Sequence, residues 1–346
     1  MLKRIFDFVT VLLISAVLLM GATDARGQKI SLIRDAEIEN TIRNFSTPVF
    51  LAANLDPSAV KIHLVRDKTL NAFVAGGQRL FINTGMLTQA KSAEQIIGVI
   101  AHETGHISGG HLARINDALK GSTATTILSI ILGGAAIGAG RGDIGSVMIA
   151  GGQGIVVRNF LCYTRTQESA ADQAALKYLD KVKISARGLL EFMEILGDQE
   201  FRVPERQDPY VRTHPLTRDR VAAIAHHVAN SPYSDNAVSS KFDINFRRAR
   251  AKLYGFLNPI GHTLRVYKES DNSLESRYAR AVGYYREPNL EKAVPLIDGL
   301  IAEYPKDPYF RELKGQMLFE NGKPGAALVS YQNAVTLLPD NPLIRR

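Results

Sequence analysis

A histidine pair with a glutamate between its members constrains this chain more than any other feature. His102, Glu103 and His106 form an H-E-x-x-H pattern, and the apolar residues 96–100 before it predict a buried helix. Histidines four residues apart lie on one helical face, so both imidazoles can bind one metal ion. Glu103 lies beside that face, where its carboxylate can act on a water molecule without binding the metal. The pattern predicts a zinc site, and a surface helix with two histidines is the alternative.

The limits of this helix can also be predicted. Ser92 and Gln95 have the spacing of a capping box, which marks the helix start. Imidazoles inside a buried helix need polar partners, and a metal ion would satisfy both. His111 lies five residues beyond His106, off the face of the pair, and is expected to be a structural or surface histidine.

A second acidic pair could complete the site. Glu168 and Asp172 are four residues apart on a segment with helical periodicity, so their carboxylates face the same way. Zinc needs a third protein ligand, which Glu168 could supply, while Asp172 could accept a hydrogen bond from a ligating imidazole. From the residues alone, an exposed helix with ordinary acidic spacing explains the pair equally well.

The order of these motifs resembles the zinc metallopeptidases that include the HtpX heat-shock protease and the CaaX prenyl protease. In that group an H-E-x-x-H pattern is followed by an E-x-x-x-D pattern, here Glu168 to Asp172. Other matching segments are residues 71–77, residues 83–87 and His214-Pro215. The resemblance spans roughly residues 30–230. It implies one Zn²⁺ per chain, with Glu168 as the third ligand and Glu103 as the catalytic base.

Three segments before the histidine helix, residues 60–65, 72–75 and 79–83, are predicted to be strands. Gly76-Gly77 indicates a hairpin between the last two. The resemblance implies that this edge pairs with an extended substrate peptide through Asn71, Ala72, Phe73, Val74 and Ala75. A purely structural hairpin explains each of these residues nearly as well.

His214 lies in a loop before a predicted helix, residues 218–228, that is capped by Thr217. A loop histidine followed by proline can reach a neighbouring site without distorting a helix. The resemblance implies that this histidine occupies the position of the catalytic water and keeps the protease latent. An exposed turn residue is the alternative.

The sequence pattern at the N-terminus predicts that the protein is exported. Residues 1–27 read as a cleavable signal peptide, because Lys3 and Arg4 precede an apolar run over residues 8–20 and small residues follow. The predicted destination is the periplasm, and a retained membrane anchor is the alternative. Cys162 is the only cysteine, so the chain can form no internal disulfide bond, and a small buried apolar role is expected.

A long segment without charge separates the two motifs, over residues 122–157 apart from Arg141 and Asp143. Its glycines and threonines are a poor composition for a membrane span. It is predicted to form a hydrophobic lid over the site. Membrane contact and a core hairpin are the alternatives.

The C-terminal part repeats with a period of 34 residues, as in the pairs Pro305 and Pro339, and Ala293 and Ala327. This period is typical of tetratricopeptide repeats, here about 273–308 and 309–342, which bind peptides or partner proteins. Helices near residues 245–257 and 259–268 are expected beneath them. A linker near residues 230–236 then divides a metallopeptidase domain, 28–235, from a helical domain, 236–346.

The net charge of +8 comes mostly from scattered basic residues. Arg247, Arg248, Arg250 and Lys252 form the one tighter group, which is predicted to be the solvated face of a helix. Binding to anionic lipid is the weaker alternative. No nucleic-acid motif is present, so nucleic-acid binding is not expected.

These features predict a mainly α (α+β) protein with a zincin-like metalloprotease domain, a small β-sheet and a C-terminal repeat domain. The predicted function is that of an exported zinc endopeptidase, and peripheral membrane contact stays open as an alternative. The resemblance implies that its clients are misfolded or stalled outer-membrane proteins, with the repeats recognising clients or the assembly machinery. The alternatives are a periplasmic chaperone or assembly adaptor with a normally latent protease site, and a metal-binding scaffold without turnover.

Overall fold

The computed structural model describes residues 31–111, 154–200, 214 and 216–345, with the backbone alone at 154–164 and 198–200. The predicted signal peptide, most of the uncharged segment 122–157 and the side chain of Cys162 lie outside the described residues. The strands are β1 (Leu32–Ile33), β2 (Lys61–Val65), β3 (Ala72–Ala75) and β4 (Arg79–Asn83). The helices are α1 (Ala36–Ala52), α2 (Thr84–Gln89), α3 (Ala93–Ser108), α4 (Gly154–Lys181), α5 (Arg187–Glu200), α6 (Arg218–Asn230), α7 (Ser240–Leu257), α8 (Ile260–Val266), α9 (Leu274–Arg286), α10 (Leu290–Glu303), α11 (Pro308–Glu320) and α12 (Pro324–Leu337).

These helices and strands form a mainly α fold with one small sheet, as predicted. The sheet and helices α1 to α6 come first in the chain, and the helices from α7 onward form the C-terminal region. None of the helices in the described ranges has the length and apolar character needed to cross a membrane.

The sheet has the strand order β1-β2-β4-β3, in which β2 and β4 run parallel and β3 and β4 form an antiparallel hairpin. Gly76 and Gly77 form the hairpin turn with φ of +57° and +91°, a backbone region that favours glycine. The three predicted strands are therefore confirmed. β1 was not predicted, because two residues are too few to show a period-two pattern. β3 lies at the edge of the sheet.

Helix α3 lies in the centre of the first core, where residues such as Ile97 and Ile100 are at most 1% exposed. Two glycines let neighbouring helices approach it closely. A Cβ atom at Gly98 would lie 2.8 Å from the Leu189 backbone nitrogen on α5. A Cβ atom at Gly105 would lie 2.7 Å from the Ala171 carbonyl oxygen on α4. The backbone of α3 is thus packed almost directly against α4 and α5.

The C-terminal helices contribute to more than one core. Helix α7 contributes Phe246 and Leu253 to the same core as α3, whereas Tyr278 and Phe310 belong to a second core formed by α9, α10 and α11. The helix pairs α9–α10 and α11–α12 start at positions 34 residues apart, which is the spacing of the sequence repeat. The predicted domain division at residues 235 and 236 stays a prediction.

A buried charge cluster links α1 to α7 and α9. Arg248 Nη2 lies 2.8 Å from Glu37 Oε1, and Lys252 Nζ lies 2.7 Å from Asp35 Oδ2 and 3.4 Å from Glu37 Oε2. The Tyr278 hydroxyl donates to Glu37 Oε2 at 2.6 Å. Burial raises the pKa of Glu37, but Arg248 and Lys252 outweigh it and leave that pKa below its ordinary value.

The prediction of a solvated basic face is therefore wrong for two members of the group. Arg248 is 9% exposed and Lys252 is 1% exposed, and both pair with carboxylates near the start of the described chain. A local run of charge does not reveal partners that are distant in the sequence. For this reason the sequence predicted that these side chains are exposed to solvent.

Candidate metal centre

The histidine pair lies on the buried part of α3. This helix starts as predicted, because the Ser92 side chain accepts a hydrogen bond from the Gln95 N–H at 3.3 Å. Gln95 Oε1 in turn accepts one from the Lys91 N–H at 2.9 Å. The side chain of His102 is fully buried and that of His106 is 11% exposed. The alternative of a surface helix is therefore wrong.

Two other segments bring polar side chains to this pair. Glu168 lies on α4, which packs along α3, and His214 lies just before α6. One ligand atom from each of His102, His106, Glu168 and His214 lies within 4.8 Å of the others. Glu168 is buried, so the alternative of an exposed acidic helix is wrong at this position.

The separations of these atoms suit a zinc ion. The Nε2 atoms of His102 and His106 are 3.1 Å apart. Glu168 places Oε2 at 3.3 Å from His102 Nε2 and Oε1 at 3.4 Å from His106 Nε2. Ligand atoms bound to tetrahedral zinc at about 2.0–2.1 Å are roughly 3.3 Å apart. The three side chains therefore fit the metal that the sequence predicts.

A chain of buried hydrogen bonds orients the ligands. Asp172 Oδ1 lies 2.8 Å from His102 Nδ1, which leaves the Nε2 atom of that ring facing the centre. Arg220 donates to Asp172 through Nε at 2.6 Å and Nη2 at 2.9 Å, and its Nη1 lies 3.2 Å from Glu168 Oε2. Burial raises the pKa of Asp172, but Arg220 and His102 outweigh it and lower that pKa. Asp172 therefore stays ionised.

His111 also belongs to this network. It is 3% exposed, and its Nδ1 atom lies 2.9 Å from His106 Nδ1. One of these two nitrogens must donate and the other accept, so His111 helps to fix the ring of His106 with Nε2 facing the centre. Of the two expectations for this residue, the structural one is confirmed.

Glu103 lies at the centre without being placed as a ligand. It is 1% exposed, and neither of its carboxylate oxygens takes part in a hydrogen bond with the described residues. His214 Nε2 lies 3.5 Å from Oε1 of Glu103. Burial is the main cause that raises the pKa of Glu103 to about 7. A buried carboxylate without hydrogen-bond donors is suited to taking up a proton.

His214 is buried beside the ligands and is not an exposed turn residue. It is 7% exposed, and its Nδ1 atom lies 3.1 Å from Glu168 Oε2 and 3.4 Å from His102 Nε2. Burial lowers the pKa of His214 below its ordinary value even though Glu168 is close. The following helix starts as predicted, since the Thr217 side chain accepts a hydrogen bond from the Arg220 N–H.

The predicted substrate edge lies next to α3. β3 is an outer strand of the sheet and packs against that helix. Asn71 and Ala72 are buried, whereas Phe73, Val74 and Ala75 are partly exposed. The geometry provides an edge strand at the right place, and its role in substrate binding stays a prediction.

Arg220 is the residue that the sequence did not reveal. It was one of several scattered arginines, and it stands six residues beyond His214 in a predicted helix. The signal that could have found it is the pair Glu168 and Asp172, since two buried carboxylates on one helical face require a cation.

Residues 33–228 match the model of peptidase family M48. The match covers more than half of the chain and includes every residue of the centre, so the chain belongs to peptidase family M48. This family uses zinc, and the cluster of His102, His106, Glu168 and His214 can hold a metal ion.

Several relatives carry the name beta-barrel assembly-enhancing protease. A Vibrio cholerae relative of that name is 27% identical over 289 residues, which is 81% of this chain and 58% of the relative. The Yersinia pestis protein is 24% identical over 91% of this chain and 65% of its own length. The Escherichia coli protein is 23% identical over 91% of this chain and 64% of its own length. The chain thus spans less than two thirds of the length of these relatives.

Proposed function

We propose that this chain is an exported zinc endopeptidase that acts on misfolded or stalled proteins of the cell envelope. The observation that carries the proposal is the convergence of His102, His106 and Glu168 at tetrahedral spacing beside the buried carboxylate of Glu103. A metal-binding scaffold would need the three ligands but would gain nothing from an uncompensated glutamate beside them.

The reaction that this arrangement supports is peptide hydrolysis. Zinc held by His102, His106 and Glu168 would supply the Lewis acid for the scissile carbonyl. Glu103 takes a proton from the attacking water and passes it to the leaving amine. Asp172 and Arg220 keep the ligands in position during these proton transfers.

Substrate binding through β3 agrees with this chemistry. A peptide paired with the outer strand binds through its backbone, so its side chains need not be specific. Asn71 and the residues of β3 form that edge, and α3 packs directly against it. A client without a defined sequence could therefore be cleaved.

The cellular role is proposed from the relatives. Their shared name, beta-barrel assembly-enhancing protease, refers to β-barrel assembly. The signal-like N-terminus predicts the periplasm as the location. In this proposal the helix pairs α9–α10 and α11–α12 act as tetratricopeptide-type repeats that recognise clients or the assembly machinery.

A metal-dependence assay with the purified full-length protein tests the proposal. We expect casein cleavage that stops when a chelator removes the metal and returns when zinc is restored. Glu168→Ala should lose both zinc and cleavage. Full zinc content in that variant would place the third ligand elsewhere, and absence of cleavage by the zinc-loaded wild type would favour the second candidate below.

The second candidate is a periplasmic chaperone or assembly adaptor whose protease site is normally latent. It is favoured by the position of His214. Its Nδ1 atom lies 3.1 Å from Glu168 Oε2, and its Nε2 atom lies 3.5 Å from Glu103 Oε1. A fourth protein ligand would close a zinc site that catalysis needs open. The loop before α6 would then have to move before cleavage starts.

His214→Ala separates the two candidates. If the histidine blocks the site, this variant should cleave casein faster than wild type, by about tenfold or more, with unchanged zinc content. Unchanged cleavage would leave His214 without a regulatory role. A fall in cleavage would show instead that the histidine assists the reaction.

A further inference from the structure

A groove of about 1240 Å³ lies away from the metal centre. One wall comes from the peptidase part, through Ile33 and Arg34 before α1 and Arg66 after β2. The opposite wall is formed by α11, α12 and the segment after α12, and the end of α7 also lines the groove. β1 and β3 are the opposite edges of the sheet, so the groove adjoins the edge that is not next to α3. It is larger than the sites that bind single small molecules.

The groove exposes large apolar side chains. Phe319 on α11 is 59% exposed and Leu328 on α12 is 57% exposed, and both line it. Phe256, Leu257 and Tyr331 line it as well. Apolar side chains gathered along one concave surface are typical of a site that binds another chain.

The charged residues of the groove leave an excess of positive charge. Arg66, Arg286 and Arg345 line it, and none of them forms an ion pair with a carboxylate in the part of the chain described. In contrast, Arg34 pairs with Glu39 at 2.8 Å.

Three carboxylates also line the groove. Asp35 pairs with Lys252 at 2.7 Å, and the nearest cation to Glu312 is the same lysine, at 4.0 Å. Glu320 accepts hydrogen bonds from the Tyr285 hydroxyl and from Gln316. These donors are neutral and leave the charge of Glu320 in place, so among the described residues the three arginines outnumber the groove carboxylates that have no cation within 4.0 Å.

We propose that this groove binds an extended peptide segment of the client that combines apolar side chains with carboxylates. The proposal rests on the proposed function, because it supplies the site at which a client is held apart from the cleavage edge. The exposed Phe319 and Leu328 match the apolar side chains, and the three arginines without a carboxylate partner match the carboxylates. A concave groove between helices suits a chain segment and not the flat surface of a bilayer.

Fluorescence anisotropy with labelled peptides tests the site. The protein is the full-length Glu103→Gln variant, so the peptide stays intact. The probes are a short peptide of Leu, Phe and Glu residues and the same peptide with Lys in place of Glu. We expect the acidic peptide to bind at least about fivefold more tightly than the basic one.

Two matched pairs of substitutions locate the binding. Leu328 and Val329 are neighbours on α12 with 57% and 58% exposure, but only Leu328 lines the groove. Leu328→Ser should weaken binding by about fivefold or more, and Val329→Ser by less than about twofold. Arg66→Glu should weaken binding of the acidic peptide more than Lys68→Glu does, although both residues are exposed and the change in net charge is the same.

Several results would overturn the proposal. Equal binding of the two peptides, or equal losses within either matched pair, would remove the groove as the binding site. Competition by phosphatidylglycerol vesicles that depends on Leu328 would assign the groove to lipid. Casein cleavage by the wild-type chain is measured separately. Binding of the acidic peptide without any casein cleavage would reject the proposed peptidase activity but keep the groove as a peptide-binding site.

Discussion

At the scale of single residues, the centre depends on a relay of hydrogen bonds. Arg220 holds Asp172 with two short bonds, and Asp172 fixes His102 through its Nδ1 atom. Arg220 also lies 3.2 Å from Glu168, so one guanidinium positions both Asp172 and Glu168. The planar fork of an arginine can do this, whereas the single ammonium of a lysine cannot.

Arg220→Lys should weaken zinc binding by about tenfold or more, because the orienting bonds to Asp172 and Glu168 cannot both form. The measurement is a competition titration with a chromogenic chelator. Arg218→Lys is the control, since Arg218 lies on the same helix and is exposed. Equal zinc affinities for the two variants would contradict a positioning role for Arg220.

The sequence revealed the residues whose geometry is local. His102, Glu103 and His106 could be predicted because four residues make about one helical turn, and the same spacing placed Glu168 and Asp172 on one helical face. Arg220 and the partners of Lys252 could not, because their contacts join segments that are far apart in the chain. The resemblance to a family, and not the periodicity, pointed to Glu168 as a ligand.

At the scale of elements, the site depends on how closely α3 and α4 approach. Gly105 stands between Glu103 and His106 and faces the Ala171 carbonyl, next to Asp172. The candidate ligands come from both helices, so a change in the distance between the helices changes the distances between these side chains. The pattern of apolar residues predicted the helices but not this contact, because a glycine inside a helix signals no particular partner.

Gly105→Ala should reduce both stability and zinc affinity. In an open helix this change stabilises by about 1 kcal/mol, but here the new Cβ atom would lie 2.7 Å from a carbonyl oxygen. We expect a loss of roughly 1–3 kcal/mol in the free energy of unfolding, measured with urea. Gly261→Ala in α8 is the control, because no atom lies within 4 Å of the added carbon. A stabilised Gly105→Ala protein would refute the close approach.

At the scale of the whole molecule, a buried charge cluster connects the peptidase part with the C-terminal helices. Glu37 on α1 is paired with Arg248 and Lys252 on α7 and accepts a hydrogen bond from Tyr278 on α9. Removing one partner from such a cluster leaves an uncompensated buried charge, which costs about 3–5 kcal/mol. Truncation before α7 should therefore unfold the peptidase part as well, because Phe246 and Leu253 also leave its core.

The cluster predicts how stability depends on pH. The pKa of Glu37 is lowered from its ordinary 4.5 in the folded state, so its contribution is fully present above about pH 5 and is lost as the pH falls through the folded value. Lys252 and Tyr278 have pKa values raised well above their ordinary ones and keep their protons in this range.

Urea unfolding of wild type and Glu37→Gln at several pH values provides the measurement. The difference in the free energy of unfolding should be about 3 kcal/mol near neutral pH and should shrink below pH 4.5. Glu39→Gln, on the same helix but outside the cluster, is the control. A difference that does not change with pH would show that the ionised form of Glu37 is not what the cluster stabilises.

The central claim, that the chain is a zinc peptidase with Glu103 as its base, is tested most directly by one comparison. Wild type and Glu103→Gln are assayed side by side for zinc content and for casein cleavage. We expect about one zinc ion per chain in both proteins and a loss of cleavage of about a hundredfold or more in the variant. If Glu103→Gln loses both its zinc and its activity, or if it cleaves casein at the full rate, the account is contradicted.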